Sequence, residues 1–245
     1  MGVFSEAISS KILLFDGSMG ALIGQMGIKT TCPDELSITS PETIKGIHLS
    51  YVEAGANVIL TDTFGATEMT LSHKGKKGMS ESITKAAVKN ALEASCGRAL
   101  VACDVGPTSE FLYPVGEYKM EDFFETFSIE LRAAKEAGAD FAMIETQTDI
   151  SEARTAGLAA KEAGLEFALS FTFQNGRTLT GSTPEICAKT AEAIGAAAVG
   201  INCSEGPEQM IPTIKKMIAA TSLPVIVQQN AGLPQTAPDG STYYP

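Results

Sequence analysis

The sequence predicts an α/β fold, a (β/α)8-type barrel of parallel strands, on three observations. Short apolar runs alternate with helix-like segments along the whole chain. The runs are continuous rather than alternating, as expected for strands covered on both faces. Most of them end on a polar side chain suited to chemistry: Asp16, Asp62, Asp104, Glu145, Asn202 and Asn230. In a barrel all strand C-termini open on one face, which is where barrel enzymes place their sites.

The first run, "KILLF", covers 11–15. The next are "NVILTDTF" at 57–64, "ALVACDVG" at 99–106 and "DFAMIET" at 140–146. "EFALSFTF" at 166–173, "AAVGINC" at 197–203 and "LPVIVQQN" at 223–230 complete the set of seven. Between them, "SPETIKGIHLSYVEAGA" begins a helix with Ser40 as N-cap and Pro41 at the first helical position, and Gly55 lies near its end. Thr43 stands where a reciprocal capping box would need Glu or Gln, while Glu42 suits the positive end of the helix. Further helical segments close on Gly138, Gly164 and Gly195, and Thr183 and Pro184 open the last of them. Each stop is followed by a strand, which favours a parallel sheet.

A doubly wound sheet is the other architecture such a series could form. Its dinucleotide-binding version wants a GxGxxG turn after a strand. Gly17, Gly20 and Gly24 in "FDGSMGALIGQ" do not have that spacing. The barrel is therefore the expectation, as one domain over 1–245, with an eighth strand not visible and the fold truncated after the seventh. Strands one and seven would then each lack a neighbour, and open edges invite self-association.

The formal net charge of -11 opposes binding to nucleic acid or to an anionic membrane surface. No run approaches the roughly 20 apolar residues of a membrane span, and the first residues lack the basic start of a signal peptide. Glu6 stands where a myristoylation signal needs Ser or Thr. The cysteines are Cys32, Cys96, Cys103, Cys187 and Cys203, an odd number at irregular spacing. That pattern suggests reduced thiols in a cytoplasmic protein. With only His48 and His73 as imidazoles, a histidine-rich metal site is not expected.

The candidate residues cluster at the ends of the runs. "FDG" offers the Asp16 carboxylate and the amides after it for an amino acid's ammonium and carboxylate; a plain turn with Asp16 as cap explains it equally well. Glu145 follows the apolar "DFAMI" and needs a cation or hydrogen bonds if buried, whereas Asp149 reads as a helix cap. Asp62 and Asp104 read equally as loop punctuation. Cys103, within a strand, reads as core. Cys203 follows the sixth run with no other cysteine at metal-ligand spacing, and periodicity alone makes it a reduced thiol in a turn.

Taken together, "LLFDGSMGA", "GANVILTDTFGAT", "VGPTSEFLYPVG", "MIETQTDI", "GRTLTGSTPE", "VGINCSEGPE" and "NAGLP" resemble the homocysteine S-methyltransferase family. The likeness runs over nearly the whole chain, and is strongest to the homocysteine-binding domain of cobalamin-dependent methionine synthases. It implies a zinc-dependent methyl transfer to the thiolate of homocysteine, giving methionine. Cys203, within "GINC", would be a zinc ligand and a catalytic residue with Glu145. The pair of cysteines that completes the family's metal site, in a Gly-Gly-Cys-Cys-Gly motif, does not occur in the chain, so activity of this chain alone would be impaired. Asp16 and Glu145 would grip the ammonium, and Gly17 and Ser18 the carboxylate. Asn202 and Asn230 would flank the site. Methylcobalamin, brought by another domain or protein, would be the donor. Two residues depart from the pattern: Asp62 replaces an asparagine, and Gln229 a proline. Rival expectations are a zinc-free barrel that binds an amino acid or a partner, and a different barrel enzyme using Asp16 and Glu145 as acid and base.

Overall fold

A computed structural model of the chain describes residues 2–230, together with the backbone of two short strands further on. In chain order the helices are α1 (Val3–Ser10), α2 (Met19–Gln25), α3 (Leu36–Thr39), α4 (Pro41–Glu53), α5 (Glu68–His73), α6 (Ser80–Ser95), α7 (Met120–Ala137), α8 (Ile150–Glu162), α9 (Pro184–Ile194) and α10 (Pro207–Ala220). The strands are β1 (Val58–Leu60), β2 (Leu100–Val105), β3 (Phe141–Gln147), β4 (Glu166–Phe171), β5 (Ala198–Asn202), β6 (Val225–Gln228), β7 (Gln235–Thr236) and β8 (Thr242–Tyr243). Strands β1 to β6 pair in parallel, in chain order, as one curled half-barrel wrapped by helices. Strands β7 and β8 pair antiparallel, apart from it.

The run at 11–15 differs from expectation. It touches β1 through a single bridge, Phe15 to Val58, supported by the bond from the Val58 N–H to the Leu14 carbonyl, 3.2 Å. Ile12 is 89% exposed and Leu14 61%. With a partner on one side only, the segment has too few ladder bonds to form a full strand. The other six runs become strands, with β1 limited to Val58–Leu60 of the expected 57–64. Thr183 caps α9 by accepting the Ile186 N–H, and Asp149 caps α8 by accepting from Ser151 and Glu152. Ser40 precedes α4 but its hydroxyl makes no cap bond.

The sheet separates two apolar layers. Cys103, Val105, Ala142, Ile144, Leu169, Phe171, Val199 and Ile201 face the helices. Cys103 is thus core, as expected. The opposite parity, Val58, Ala102, Phe141, Met143, Ala168, Ala198 and Ile226, packs inside the curl around Phe4 of α1. Phe4 lies stacked on Phe141, ring centroids 3.8 Å apart. The first turn of α1 is held by the Glu166 carboxylate, which accepts the Gly2 and Phe4 N–H groups at 3.0 Å. An anion at the start of a helix satisfies the orphan donors there and complements the dipole. So α1, which the sequence reading left unassigned, closes the N-terminal end of the half-barrel.

Removing this plug should be costly. Phe4→Ala is expected to lower the unfolding free energy by about 3–5 kcal/mol, the usual range for a buried Phe to Ala change, in urea titrations followed by circular dichroism. A loss below about 1 kcal/mol would show that α1 is not docked.

Candidate active site

The inner parity of the strands ends in polar side chains. Beyond the apolar layer around Phe4 come Asp62 after β1, Asp104 on β2, Glu145 on β3, Asn202 on β5 and Gln228 on β6. With Asp16, Gly17, Ser18, Cys203 and Asn230 they line one cavity of about 1220 Å³. The space exists because several inward positions are small. Ala168, Ala198 and Gly200 face the bulky Phe141 and Met143. A side chain at Gly200 would lie 2.9 Å from the Ile226 carbonyl oxygen. The structure thus brings together the expected site residues, and adds Asp62, Asp104, Lys74 and Phe64 to the lining.

Asn202 ties three strand ends. Its Oδ1 accepts the Thr146 N–H at 3.0 Å and the Ser170 hydroxyl at 2.8 Å, and its Nδ2 donates to Thr146 Oγ1 at 2.8 Å. The Thr172 hydroxyl donates to its main-chain oxygen at 3.1 Å. Thr146 has φ 58°, a left-handed conformation uncommon for a β-branched residue, and Cys203 and Ser204 have φ 60° and 63°. Such backbone persists only where surrounding bonds over-determine it, and it gathers at functional sites. Here it follows an irregularity in the β3–β4 register between Ile144 and Gln147. The Cys203 sulfur lies 3.8 Å from Thr146 Oγ1 and 3.5 Å from Asn202 Nδ2. The Cys203 N–H donates to the Gln228 carbonyl, and the Asn230 N–H to that of Glu205. Asn202 is therefore less a wall of the site than the clasp that sets Thr146 and Cys203 beside each other.

The carboxyls crowd one another. Asp16 accepts the Leu60 N–H at 2.9 Å with Oδ2, while its buried Oδ1 has no partner among the described residues. Burial pushes Asp16 up to about 8, with the Leu60 bond opposing and Glu145 adding to the rise. Burial carries Glu145 to about 7. Asp62 reaches about 8 through burial and the charge of Asp34. Asp104 is driven well above the carboxylate range by burial, then by Glu145 and Asp16. Burial also raises the Cys203 thiol, against the bonds from Thr146 and Asn202. Several buried carboxyls with raised values sharing one cavity mark it as a candidate functional site.

Among the described residues no three His, Cys, Asp or Glu side chains converge as a metal site. Among the described residues Cys203 is the one thiol lining the cavity. Cys103 and Cys187 lie in the outer core, and Cys32 is buried behind Asp34. By themselves the described residues do not fit a zinc centre.

The homocysteine S-methyltransferase family profile matches residues 13–245. The chain belongs to that family. Betaine–homocysteine S-methyltransferase 1 of Xenopus tropicalis is 29% identical over 223 residues, which are 88% of this chain and 55% of that protein. The chain therefore spans about half the length of that curated relative. The metallated form of the Escherichia coli homocysteine methyltransferase MmuM superposes with a TM-score of 0.81 at 22% identity, over 93% of this chain and 86% of that one. The carboxyl transferase domain of Rhizobium etli pyruvate carboxylase superposes at 0.56 with 15% identity, over 91% of this chain and 37% of that one. These structural likenesses concern the fold.

The raised carboxyls set a pH dependence. Between the ordinary carboxylate value near 4 and a folded value near 8, the folded chain keeps protons that the unfolded chain has lost. Stability therefore falls as pH rises through that window. Burial holds His48 down at about 4, so it acts in the opposite sense, but only below its ordinary value near 6.5. From pH 6.5 to 8.5 the thermal midpoint should fall, and Asp16→Asn should gain on the wild type across this range while differing little below pH 4. Parallel midpoint curves for the two proteins would refute a raised Asp16.

Proposed function

We propose that the chain binds homocysteine in this cavity for transfer of a methyl group to its sulfur. The observation that carries this reading is the placement of Asp16, Glu145 and Cys203 on one polar rim above an apolar floor, in a member of this family. The substrate ammonium would sit against the free Asp16 Oδ1 and the Glu145 carboxyl. The main-chain N–H groups of Gly17 and Ser18 would face its carboxylate. Gly17 is pressed close to Tyr51, whose hydroxyl would lie 2.9 Å from an added Cβ, and that hydroxyl donates to the Ser18 carbonyl at 3.2 Å. The loop is thereby fixed before substrate arrives. The amino-acid end held there, the thiol of homocysteine would reach toward Cys203, in the corner made by Thr146 and Asn202.

The motif likeness gives Cys203 the further role of one thiolate ligand to zinc, and zinc the role of keeping the substrate sulfur deprotonated. The described residues supply that one thiolate, and the finer assignment rests on the "GINC" motif. Methylcobalamin carried by another domain is the donor that the same likeness supports, as in the homocysteine module of a methionine synthase. A zinc-free amino-acid-binding barrel is the alternative, favoured by the single thiol in the cavity.

Binding an ammonium against protonated carboxyls must release protons. The affinity for L-homocysteine, measured by calorimetry, should therefore rise from pH 6 to pH 8, with proton release seen in buffers of different ionisation enthalpy. Glu145→Gln should weaken it about 10- to 100-fold, the equivalent of about 1.5–3 kcal/mol for a hydrogen bond to a charged group. Absence of binding by the wild-type chain at millimolar L-homocysteine would overturn the proposal. Equal zinc content in the wild type and Cys203→Ser would remove Cys203 from the ligand set while leaving the amino-acid site standing.

A further inference from the structure

Strand β4 differs from its neighbours in what it offers the cavity. Among the described residues, every other strand of the half-barrel puts a polar side chain from its end on the lining: Asp62 after β1, Asp104 on β2, Glu145 on β3, Asn202 on β5 and Gln228 on β6. The end of β4 carries hydroxyls instead, Ser170 on the strand and Thr172 just after it, and neither lines the cavity. Ser170 lies two residues beyond Ala168, which packs inside the curl, so it shares that inner face. It is 0% exposed. A side chain so placed touches no ligand and can act only through a neighbour.

That neighbour is Asn202. The Ser170 hydroxyl donates to Asn202 Oδ1 at 2.8 Å, and the Thr172 hydroxyl donates to the Asn202 main-chain oxygen at 3.1 Å. The Thr172 N–H donates to the Gln147 carbonyl at 3.0 Å, which ties the same corner to the chain just past the Thr146 bend. Ser170 pairs with Gly200 in the β4–β5 register. A Cβ on Gly200 would lie 3.2 Å from Ser170 Oγ, so the hydroxyl uses room that the glycine leaves. The Asn202 amide is then fully engaged. Its Oδ1 accepts from Ser170 and from the Thr146 N–H, while its Nδ2 gives one hydrogen to Thr146 Oγ1 and turns the other to the Cys203 sulfur, 3.5 Å away. Turned over, the amide would set Nδ2 against the Thr146 N–H, donor against donor, and present Oδ1 to the sulfur.

We propose that Ser170 is a positioning residue for the sulfur end of homocysteine: by taking the second acceptor position of Asn202 Oδ1, it fixes the amide that sets Thr146 and Cys203 side by side. The inference rests on the homocysteine reading above and adds to it what separates a thiol from a plain side chain. Asp16, Glu145 and the N–H groups of Gly17 and Ser18 meet the end that all amino acids share. The corner of Thr146, Asn202 and Cys203 meets the part that makes the ligand homocysteine. The terminal torsion of an asparagine is broad and has no sharp rotamer of its own, so the orientation of the amide is set by its partners. With Ser170 in place, Oδ1 is held from both β3 and β4. Without it, one donor remains and the amide can tilt, carrying Nδ2 away from Thr146 Oγ1 and from the sulfur.

The test compares L-homocysteine with L-2-aminobutyrate, which has the same amino-acid end and lacks the thiol. Calorimetry on the full chain, with the thiols kept reduced, should show homocysteine bound at least about 10-fold more tightly. Ser170→Ala should cut that preference about 3- to 10-fold, the effect of one lost hydrogen bond, with the affinity for L-2-aminobutyrate and the circular dichroism unchanged. Asn202→Ala should cut it at least as far. The double variant should lose no more than Asn202→Ala alone, because the two residues act through one group. Thr172→Val removes the other hydroxyl and keeps the branched shape; it should act in the same direction, and the same criteria apply to it should Ser170→Ala fail to fold. A preference unchanged in Ser170→Ala overturns the proposal, as do losses that add in the double variant. An equal loss for both ligands overturns it as well, since a merely structural role lowers the two affinities alike. A wild type that binds both ligands equally removes the sulfur corner and leaves the amino-acid grip of Asp16 and Glu145 standing. A wild type that binds neither overturns the homocysteine reading itself.

Discussion

The side chain of Asn202 holds the site together. Its amide is the common partner of Thr146, Ser170 and the Cys203 sulfur, so it fixes the ends of β3, β4 and β5 relative to one another. Thr146 can keep its left-handed backbone only while both its N–H and its hydroxyl are held. Without that bend, β3 would continue its pleat, and the Cys203 sulfur would lose the hydroxyl it faces. A buried, fully bonded amide is suited to this work because it donates and accepts within one rigid plane. A hydrophobic residue of similar size would fill the volume and leave three polar groups unsatisfied.

The same enclosure explains the electrostatics. An apolar floor made by Phe4, Phe141 and Met143 lies below, and the strand ends carry Asp62, Asp104 and Glu145 into a space shared with Asp16. Four carboxyls so placed cannot all ionise, because each charge raises the cost of the next. Burial and mutual repulsion hold all four above the ordinary carboxylate range. Lys74 does not relieve the crowding around Asp16 and Glu145, since Asp34 already engages its ammonium.

Much of this was legible in the chain. Continuous apolar runs located all six strands of the sheet, their polar ends named Asp16, Glu145, Asn202 and Asn230, and the family resemblance added Cys203; the structure gathers these at one cavity. What escaped depends on partners distant in sequence. Helix α1 has only eight residues, and its anchor is Glu166, more than 160 positions away. Asp62 and Asp104 stood among the polar strand ends but read equally as loop punctuation, because the choice rests on strand parity, which needs the register of the sheet. The bend at Thr146 has no local signature; threonine is an unfavourable residue for it, and the bonds that impose it come from β5. The run at 11–15 looked like a full strand because hydrophobicity records what a segment resembles, not how many neighbours it pairs with.

The glycines show how sequence spacing becomes chemical space. Gly200 keeps the Ile226 carbonyl at contact distance and keeps the inner layer thin, so the floor of the cavity does not rise into the site. Gly65 admits the Lys74 ammonium beside Asp34, and Gly106 lets the chain after β2 lie against the back of Phe64. None of the three has a left-handed backbone, so conformational freedom is not what requires glycine at these positions; volume is. Each sits where one additional carbon would push a functional group out of line. One side of the cavity is shaped by hydrogen bonds through Asn202 and Tyr51, whereas the side built by the loops after β1 and β2 is shaped by the absence of a side chain at Gly65 and Gly106. The polar clasp at Asn202 and the close backbone approaches at these glycines together set the width of the cavity.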